Sequence, residues 1–376
     1  MTFRNHPNSQ ELDKVKKMLI LGPDLNIAGG VANYYRTLNF TDQKNISYFI
    51  VNTVNKQNSV QVIFRLIGKY ISFICKLIFD GYKIILLNPS LDEGKSFHRE
   101  MIYIIISRLF NKKTVVFFRG WYEPYEEKIK HSKLKTFLFK ISYAKVENYI
   151  VLGKIFKEKL LQLGVKPTAR FFIETTVADS GFLSSLDLKQ KHDSYDDKIL
   201  FLFLSRIEIA KGIIIALDAF KEFTKKNPQR NCSFAIAGDG PDLELVKKHV
   251  ITNNITGIEF LGHVNTTSKG KILLDFHVLI FPSFTEGLPN SILEAMLYGM
   301  PIITRNTGGI SEVVLQDVNG FITESFDPLI FTAFFERISF EKELYVAMSE
   351  KNHAIAVDNY TSEKVKERMI TLFKNL

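Results

Sequence analysis

FPSFTEGLPNSILEAMLYGMPIITRNTGGISEVV, from Phe281 to Val314, carries two carboxylates eight positions apart, Glu286 and Glu294. Just upstream, Val278, Leu279, Ile280 and Phe281 form a short apolar run that suits a buried parallel strand ending at Pro282 and Ser283. A loop follows, punctuated by Gly287 and Pro289. The run SILEAMLYG then predicts a helix, with Pro289 in its first turn and Gly299 and Pro301 stopping it. Glu286 is thereby placed on the loop and Glu294 about two turns further on. Backbone N–H groups near Gly287 to Asn290 are left unpaired by the helix start, and together with the helix dipole they favour an anion. Carboxylates accept hydrogen bonds from hydroxyls, so a sugar nucleotide suits the pair, Glu286 on the sugar and Glu294 on the ribose. Spacing alone fits two solvated acids equally well, and the neighbouring residues must decide.

Those neighbours do so. PSFTEGLPNSILEAM, followed by GMPIIT and TGGISEVV, resembles the signature of retaining glycosyltransferase family 4 (glycosyl transferases group 1), in which seven residues separate two glutamates. The resemblance implies an α/β, GT-B architecture: two facing Rossmann-like domains with parallel sheets and a cleft between them. It also implies sugar transfer from a nucleotide sugar without a metal-binding acidic triplet. Residue by residue, it implies that Glu286 contacts the donor sugar hydroxyls, that the Gly287–Leu288 backbone approaches sugar and phosphate, and that Glu294 binds ribose. Pro289 and Asn290 complete that donor-binding wall.

Composition agrees with an ordered protein of about two domains: 376 residues, 46% hydrophobic and 24% charged. The first fifteen residues are polar, and no charge-free apolar run reaches about 18 residues, so neither a secretory signal nor a membrane span is expected and the chain is read as cytoplasmic. Cys75 and Cys232 lie in apolar segments and are expected as buried free thiols. The formal charge of +9 suits nucleic acid, an anionic membrane surface or a phosphorylated substrate, and no nucleic-acid motif accompanies it.

The first half alternates strand and helix. KKMLILGP predicts a strand, and PDLNIAGGVANYYRTL turns through Gly29 and Gly30 into a helix whose N-terminus suits an anion. By resemblance these two glycines face phosphate or acceptor. SYFIV predicts a strand. VQVIFRLIGKYISFICKLIF is apolar around most of a helix yet carries Arg65, Lys69 and Lys76, and two readings stand: a buried helix, or a basic amphipathic one that seats on anionic lipid together with KIKHSKLKTFLFK, Lys128 to Lys140. YKIILLNPS, HREMIYIIISRLF and KKTVVFFRGW predict strand, helix and strand, the last ending at Arg119, Gly120 and Trp121. Relatives carry histidine then glycine at that strand end, where the histidine meets donor and acceptor. Arg119 stands there instead, a fixed cation able to hold phosphate or carboxylate rather than act as a base. Asn88 and His98 are further cleft candidates.

After VENYIVLGKIFKEKLLQLGV and ARFFIETTV, the polar stretch DLKQKHDSYDDK, Asp187 to Lys198, reads as a linker. It divides residues 1–187, an acceptor-binding domain, from 188–357, a donor-binding domain. The tail, 358–376, reads as an amphipathic helix that by resemblance crosses back onto the first domain. In KILFLFLSRIEIAKG a strand ends at Ser205, and Arg206 and Lys211 follow at its carboxyl end, where open α/β sheets bind ligands. The pattern of arginine, then lysine-glycine, resembles the family's diphosphate clamp. The Gly238–Asp239–Gly240 loop skirts the nucleotide by resemblance, and the segment at His263 and Val264 touches the base, with His263 structural rather than catalytic. Gly308, Gly309 and Glu312 mark another strand-to-helix turn.

The expected reaction breaks the anomeric carbon–phosphate bond while Arg206 and Lys211 meet the charge growing on the diphosphate and Glu286 orients the sugar. No D-x-D triplet occurs, so no metal is needed to explain leaving-group stabilisation, and the only co-substrate expected is a nucleotide sugar, UDP-linked. The acceptor is read as a glycan or lipid-linked sugar of bacterial surface polysaccharide. A nucleotide-sugar epimerase of the same architecture, an NAD-binding dehydrogenase and a nucleic-acid-binding protein are the rival classes. The first glycine loop is not G-x-G-x-x-G, which counts against NAD.

Overall fold

Runs such as ILFLFL (Ile199–Leu204) and VLIF (Val278–Phe281) are apolar without alternation, as strands covered on both faces must be. Helical crossovers separate them, which makes neighbouring strands parallel. The computed structural model describes residues 15–376 except 28, 41–42, 53–58 and 94, and the chain divides into two units. Unit 1 is residues 1–175 with 363–376, and unit 2 is residues 176–362. The polar lead of the sequence falls almost wholly outside the described residues.

In unit 1 the strands are β1 (Met18–Gly22), β2 (Ile46–Ile50), β3 (Ile84–Leu87), β4 (Ser90–Leu91), β5 (Lys113–Phe117), β6 (Gly120–Trp121), β7 (Asn148–Val151) and β8 (Arg170–Ile173). Six form one parallel sheet in the order β2-β1-β3-β5-β7-β8, and β4 pairs β6 separately. The helices are α1 (Gly30–Leu38), α2 (Ser59–Phe79), α3 (Lys95–Leu109), α4 (Glu123–His131), α5 (Lys133–Ile141) and α6 (Lys154–Gln162).

Unit 2 contains α7 (Leu188–Asp197), β9 (Ile199–Leu204), α8 (Ile213–Lys226), β10 (Cys232–Ala237), α9 (Leu243–Thr252), β11 (Ile258–Gly262), α10 (Thr266–Asp275) and β12 (Val278–Phe281). It continues through α11 (Asn290–Leu297), β13 (Ile302–Arg305), β14 (Gly320–Thr323), α12 (Pro328–Phe340) and α13 (Lys342–Asn359). Its parallel sheet runs β11-β10-β9-β12-β13-β14. Phe201 of β9, Phe220 and Phe223 of α8 and Phe335 of α12 are fully buried together, Phe201 and Phe335 with ring centroids 4.6 Å apart. Each half is thus Rossmann-like, which gives the chain the α/β, GT-B class of fold.

Three expectations are corrected. Asp187–Lys198 is not a linker: Asp187 caps α7 by accepting from the Gln190 N–H at 3.0 Å, and Tyr195 is buried with its hydroxyl donating to Ile338 O. Lys191 is buried too, its ammonium donating to Leu273 O at 2.8 Å and Tyr298 O at 2.9 Å. A lysine satisfied in this way looks like surface in the sequence. Cys75 is exposed rather than buried, because α2 turns Phe73 and Leu77 inward and leaves an apolar outer face. Asn88 is no cleft residue but a buried brace, accepting from Tyr35 Oη at 2.7 Å and donating to Leu21 O at 2.9 Å.

The last helix, α14 (Ser362–Lys374), packs in unit 1, where Phe373 meets Phe40 at 5.5 Å and Arg368 pairs with Glu174 at 3.1 Å. The contact boundary falls between Thr175 and Thr176 and again between Ser362 and Glu363.

Candidate active site

Arg206, Lys211, Glu286 and Gly308 follow the carboxyl ends of β9, β12 and β13, Gly240 and Val264 follow β10 and β11, and Glu294 lies on α11. Beyond β9 the chain makes a single 3-10 turn, Ile209–Lys211, steadied by Asp242, whose carboxylate accepts from the Ile209 N–H at 2.8 Å. Gly212 follows at φ 78°, and a Cβ there would lie 2.0 Å from Pro282 O, so only glycine lets this turn meet the loop after β12. The two loops are joined by the Phe284 N–H donating to Ala210 O at 2.9 Å. This brings Lys211 Nζ to 2.6 Å from Glu286 Oε1, although 75 residues separate them. Both side chains are largely covered, 19% and 11% exposed.

Glu286 has a second partner in Ser283, fully buried, whose hydroxyl donates to the same Oε1 at 2.7 Å. Arg305 holds the base of that loop. Its Nη1 donates to Ser283 O at 3.3 Å, its other guanidinium nitrogens reach Ser325 O and Glu324 O, and the plane lies 3.5 Å from the Phe326 ring centre. From the other side Gly308 closes on the backbone. At φ 56° a Cβ would stand 2.2 Å from Glu286 O, and the Gly309 N–H donates to Gly287 O at 2.7 Å. Glu286 is therefore held through its side chain by Lys211 and Ser283 and against its backbone by the Gly308–Gly309 turn, with Arg305 bracing the loop behind Ser283, which is the preorganisation a catalytic group needs.

Glu294 is differently placed. It is 3% exposed on α11 and pairs with Lys269 Nζ at 2.6 Å, with Asp179 3.6 Å from the same ammonium. Burial pushes the Glu294 carboxyl up, and Lys269 opposes this. Arg206 is 74% exposed and its nearest acid is Glu208 at 3.1 Å, leaving the guanidinium room to turn. Pro289 is the N-cap of α11 rather than its first helical residue, Leu288 is buried, and Asn290 opens the helix half-buried. Gly240 lies against Ile207, where a Cβ would meet the carbonyl oxygen at 2.3 Å. His263 is exposed beyond β11, Val264 is half-buried, and Glu312 is exposed on the turn after Gly309.

In unit 1, Gly29 and Gly30 are exposed at the start of α1. Arg119 follows β5, its guanidinium 3.9 Å from the Tyr34 ring centre and 4.2 Å from that of Phe117, with Nη1 buried and without a hydrogen-bond partner. Burial lowers its pKa, and the Tyr34 hydroxyl nearby is pushed up by burial. Arg119 is a cation stacked under aromatic rings, not one extended to solvent. His98 is exposed, its Nε2 3.3 Å from Tyr125 Oη.

Ser283, Asp242, Arg305, Lys269 and Asp179 were not singled out in the sequence. Ser283 alone carried a signal, since it is a polar residue directly after an apolar strand and three positions before Glu286.

Comparison with known proteins gives this geometry a family. Alpha-D-kanosaminyltransferase of Streptomyces kanamyceticus is 24% identical over 194 residues, covering 50% of this chain and 49% of that protein. The O-antigen biosynthesis glycosyltransferase WclY of Escherichia coli is 25% identical over 185 residues, covering 48% of each. The chain spans about half the length of these curated relatives. Among solved structures, Anabaena HepE in complex with UDP and glucose matches with a TM-score of 0.70 at 14% identity, covering 96% of this chain and 100% of that one. The model of the family "Glycosyl transferases group 1" matches residues 184–375, just over half of the sequence, and includes Lys211, Lys269, Glu286 and Glu294. The chain belongs to the glycosyl transferases group 1 family.

Proposed function

We propose that the chain is a metal-independent, retaining glycosyltransferase of family 4 that moves a sugar from a UDP-linked donor to a glycan or lipid-linked acceptor in surface polysaccharide assembly. The observation that carries the proposal is the Lys211–Glu286 pair, 2.6 Å apart at the carboxyl edge of a parallel sheet, inside the region the family model matches. Open sheets of this kind bind ligands at that edge. A relative named for O-antigen biosynthesis and a structural neighbour solved with UDP and glucose support the pathway and the donor.

In the reaction the bond between the anomeric carbon and the diphosphate oxygen breaks while the acceptor oxygen bonds to the same carbon from the same face. The acceptor proton passes to the departing phosphate oxygen. Lys211 and Arg206 meet the negative charge that develops there, Lys211 already fixed and Arg206 free to turn. Glu286 accepts hydrogen bonds from sugar hydroxyls while it keeps Lys211 at the leaving group. Gly287, Leu288, Pro289 and Asn290 present backbone to the donor, and Glu294, held by Lys269, takes the ribose. Gly240 and Val264 line the base, while Gly29, Gly30 and Arg119 of unit 1 serve the acceptor.

A thermal-shift screen against UDP, GDP, ADP and NAD, followed by NMR of the products from UDP-sugars, tests this. The expected result is a shift with UDP and its sugar and a product of retained configuration. A shift with NAD alone, an inverted product, or interconversion of the nucleotide sugar with no acceptor present would refute it.

A further inference from the structure

Helix α2 has two apolar faces. One packs inward through Phe73 and Leu77, with Phe73 and Tyr70 meeting Tyr103 of α3 at ring distances of 5.0 and 4.8 Å. The other looks out. Phe64, Ile67, Ile71 and Ile78 recur at helical spacing on the opposite side and are 71%, 48%, 56% and 53% exposed. Along the axis this row runs about 20 Å, since a helix rises 1.5 Å per residue.

The row does not stand alone. Helix α3, which packs on α2, ends in Leu109, 76% exposed, and its Arg108 donates to Ile141 O at the end of α5. Helix α5 repeats the pattern: Leu134, Phe137 and Ile141 face outward while Phe139 is fully buried. Two helices of one unit thus expose apolar rows, with Leu109 at the end of a third, more than a water-facing surface accounts for. Basic residues predominate along them, although Lys76 pairs with Asp80 just past α2 and Lys69 donates to Ile50 O. Residues 59–79 contain Arg65, Lys69 and Lys76, and residues 133–141 contain Lys133, Lys135 and Lys140; neither stretch has an aspartate or glutamate. Among the described residues no helix is long and apolar enough to cross a membrane.

We propose that unit 1 lies on an anionic lipid bilayer through α2, the end of α3 and α5. The apolar rows enter the headgroup boundary, and the exposed Lys133 and Lys140 of α5 meet lipid phosphates, a mixture of side chains suited to an interfacial helix rather than to a protein partner. Resting on the transferase reading above, this surface brings an acceptor carried by a lipid to the enzyme in two dimensions.

Flotation of the full chain with vesicles of phosphatidylcholine containing one-third phosphatidylglycerol, beside pure phosphatidylcholine, tests the docking. Ile67→Glu with Ile71→Glu, and separately Lys133→Glu with Lys140→Glu, change exposed positions and leave the core alone. Binding to anionic vesicles at low salt is expected, with each double variant weakening it at least about tenfold. The UDP thermal shift of the same variants stays unchanged, so failure of the docking and failure of the transferase reading are told apart. Binding of the parent to neither vesicle, equal binding by the variants, or a parent dimer that the variants convert to a monomer without any lipid binding would overturn the proposal.

Discussion

Gly308→Ala places a methyl group where the loop around Glu286 has none. The added Cβ would sit 2.2 Å from Glu286 O and 2.6 Å from Gly287 O, both backbone atoms that cannot swing aside, and the residue's φ of 56° is left-handed. The conformation costs about 1 kcal/mol for an L-residue, and forced overpacking adds about 1–3 kcal/mol. Together they give roughly 2–4 kcal/mol, a sizeable share of the 5–15 kcal/mol that holds a typical domain. Relief comes from moving the Glu286–Gly287 backbone by about 1 Å, and a displacement of that size costs about a hundredfold in rate at a catalytic group. Gly299→Ala is the control: it takes a similar left-handed residue, φ 68°, but its Cβ meets the end of the Leu188 side chain at 2.5 Å, away from Glu286. Urea unfolding and turnover of a UDP-sugar would be measured for both. Both variants should lose stability, and Gly308→Ala alone should lose turnover well beyond that. Equal turnover in the two at matched folded fraction would refute the argument that this turn positions Glu286.

Other outcomes follow from the same geometry. Lys211→Met and Glu286→Gln should each cut transfer severely, and Lys211→Met should also lower the melting temperature because it leaves the largely covered Glu286 carboxylate with Ser283 as its remaining partner; turnover near that of the parent in either would remove that residue from the reaction. Glu294→Ala leaves Lys269 beside Asp179 only and should destabilise the protein by about 3 kcal/mol, with part recovered in the double variant lacking Lys269; melting curves for the three would decide. Lys191 gives a pH signature. Burial lowers its pKa to about 7, against about 10.4 in an unfolded chain, so between those values the unfolded state binds more protons and stability rises with pH by up to about 1.4 kcal/mol per unit. Lys191→Met should flatten the slope between pH 7 and 9 in urea titrations, and an unchanged slope would count against the assignment. His277, lowered to about 3 chiefly by burial, acts in the same direction lower down: stability falls as pH drops from about 6.5 towards 3, and His277→Gln should blunt that fall.

Much of this was legible in the residues because apolar runs and glycine turns are local. Ile199–Leu204 and Val278–Phe281 announced central strands, and Lys211 and Glu286 each stood just beyond one. Their meeting was not legible, since it depends on a backbone hydrogen bond from Phe284 to Ala210 that no spacing encodes. Lys269 was invisible for a related reason: a lysine at a polar helix start looks solvated until a buried glutamate is found opposite. Composition misled at α7, where charged residues hid a helix that buries Lys191 and Tyr195 four positions apart. At α2 composition left two readings, and only the inward direction of Phe73 and Leu77 showed that one face is core and the other is free.

The two units differ in how the chain assembles them. Unit 2 is one uninterrupted stretch, residues 176–362, whereas unit 1 needs residues 363–376 as well, where Phe373 rests on Phe40 and Arg368 grips Glu174. A ribosome delivers these pieces in order. On a nascent chain stopped after Ser362, protease should find unit 2 protected and unit 1 still open to cleavage; equal protection of both would argue otherwise. The half that begins first is thus finished last: its strands are all made by Ile173 yet still wait for α14 to cover them, while the half built around Lys211 and Glu286 has every element it needs by Ser362.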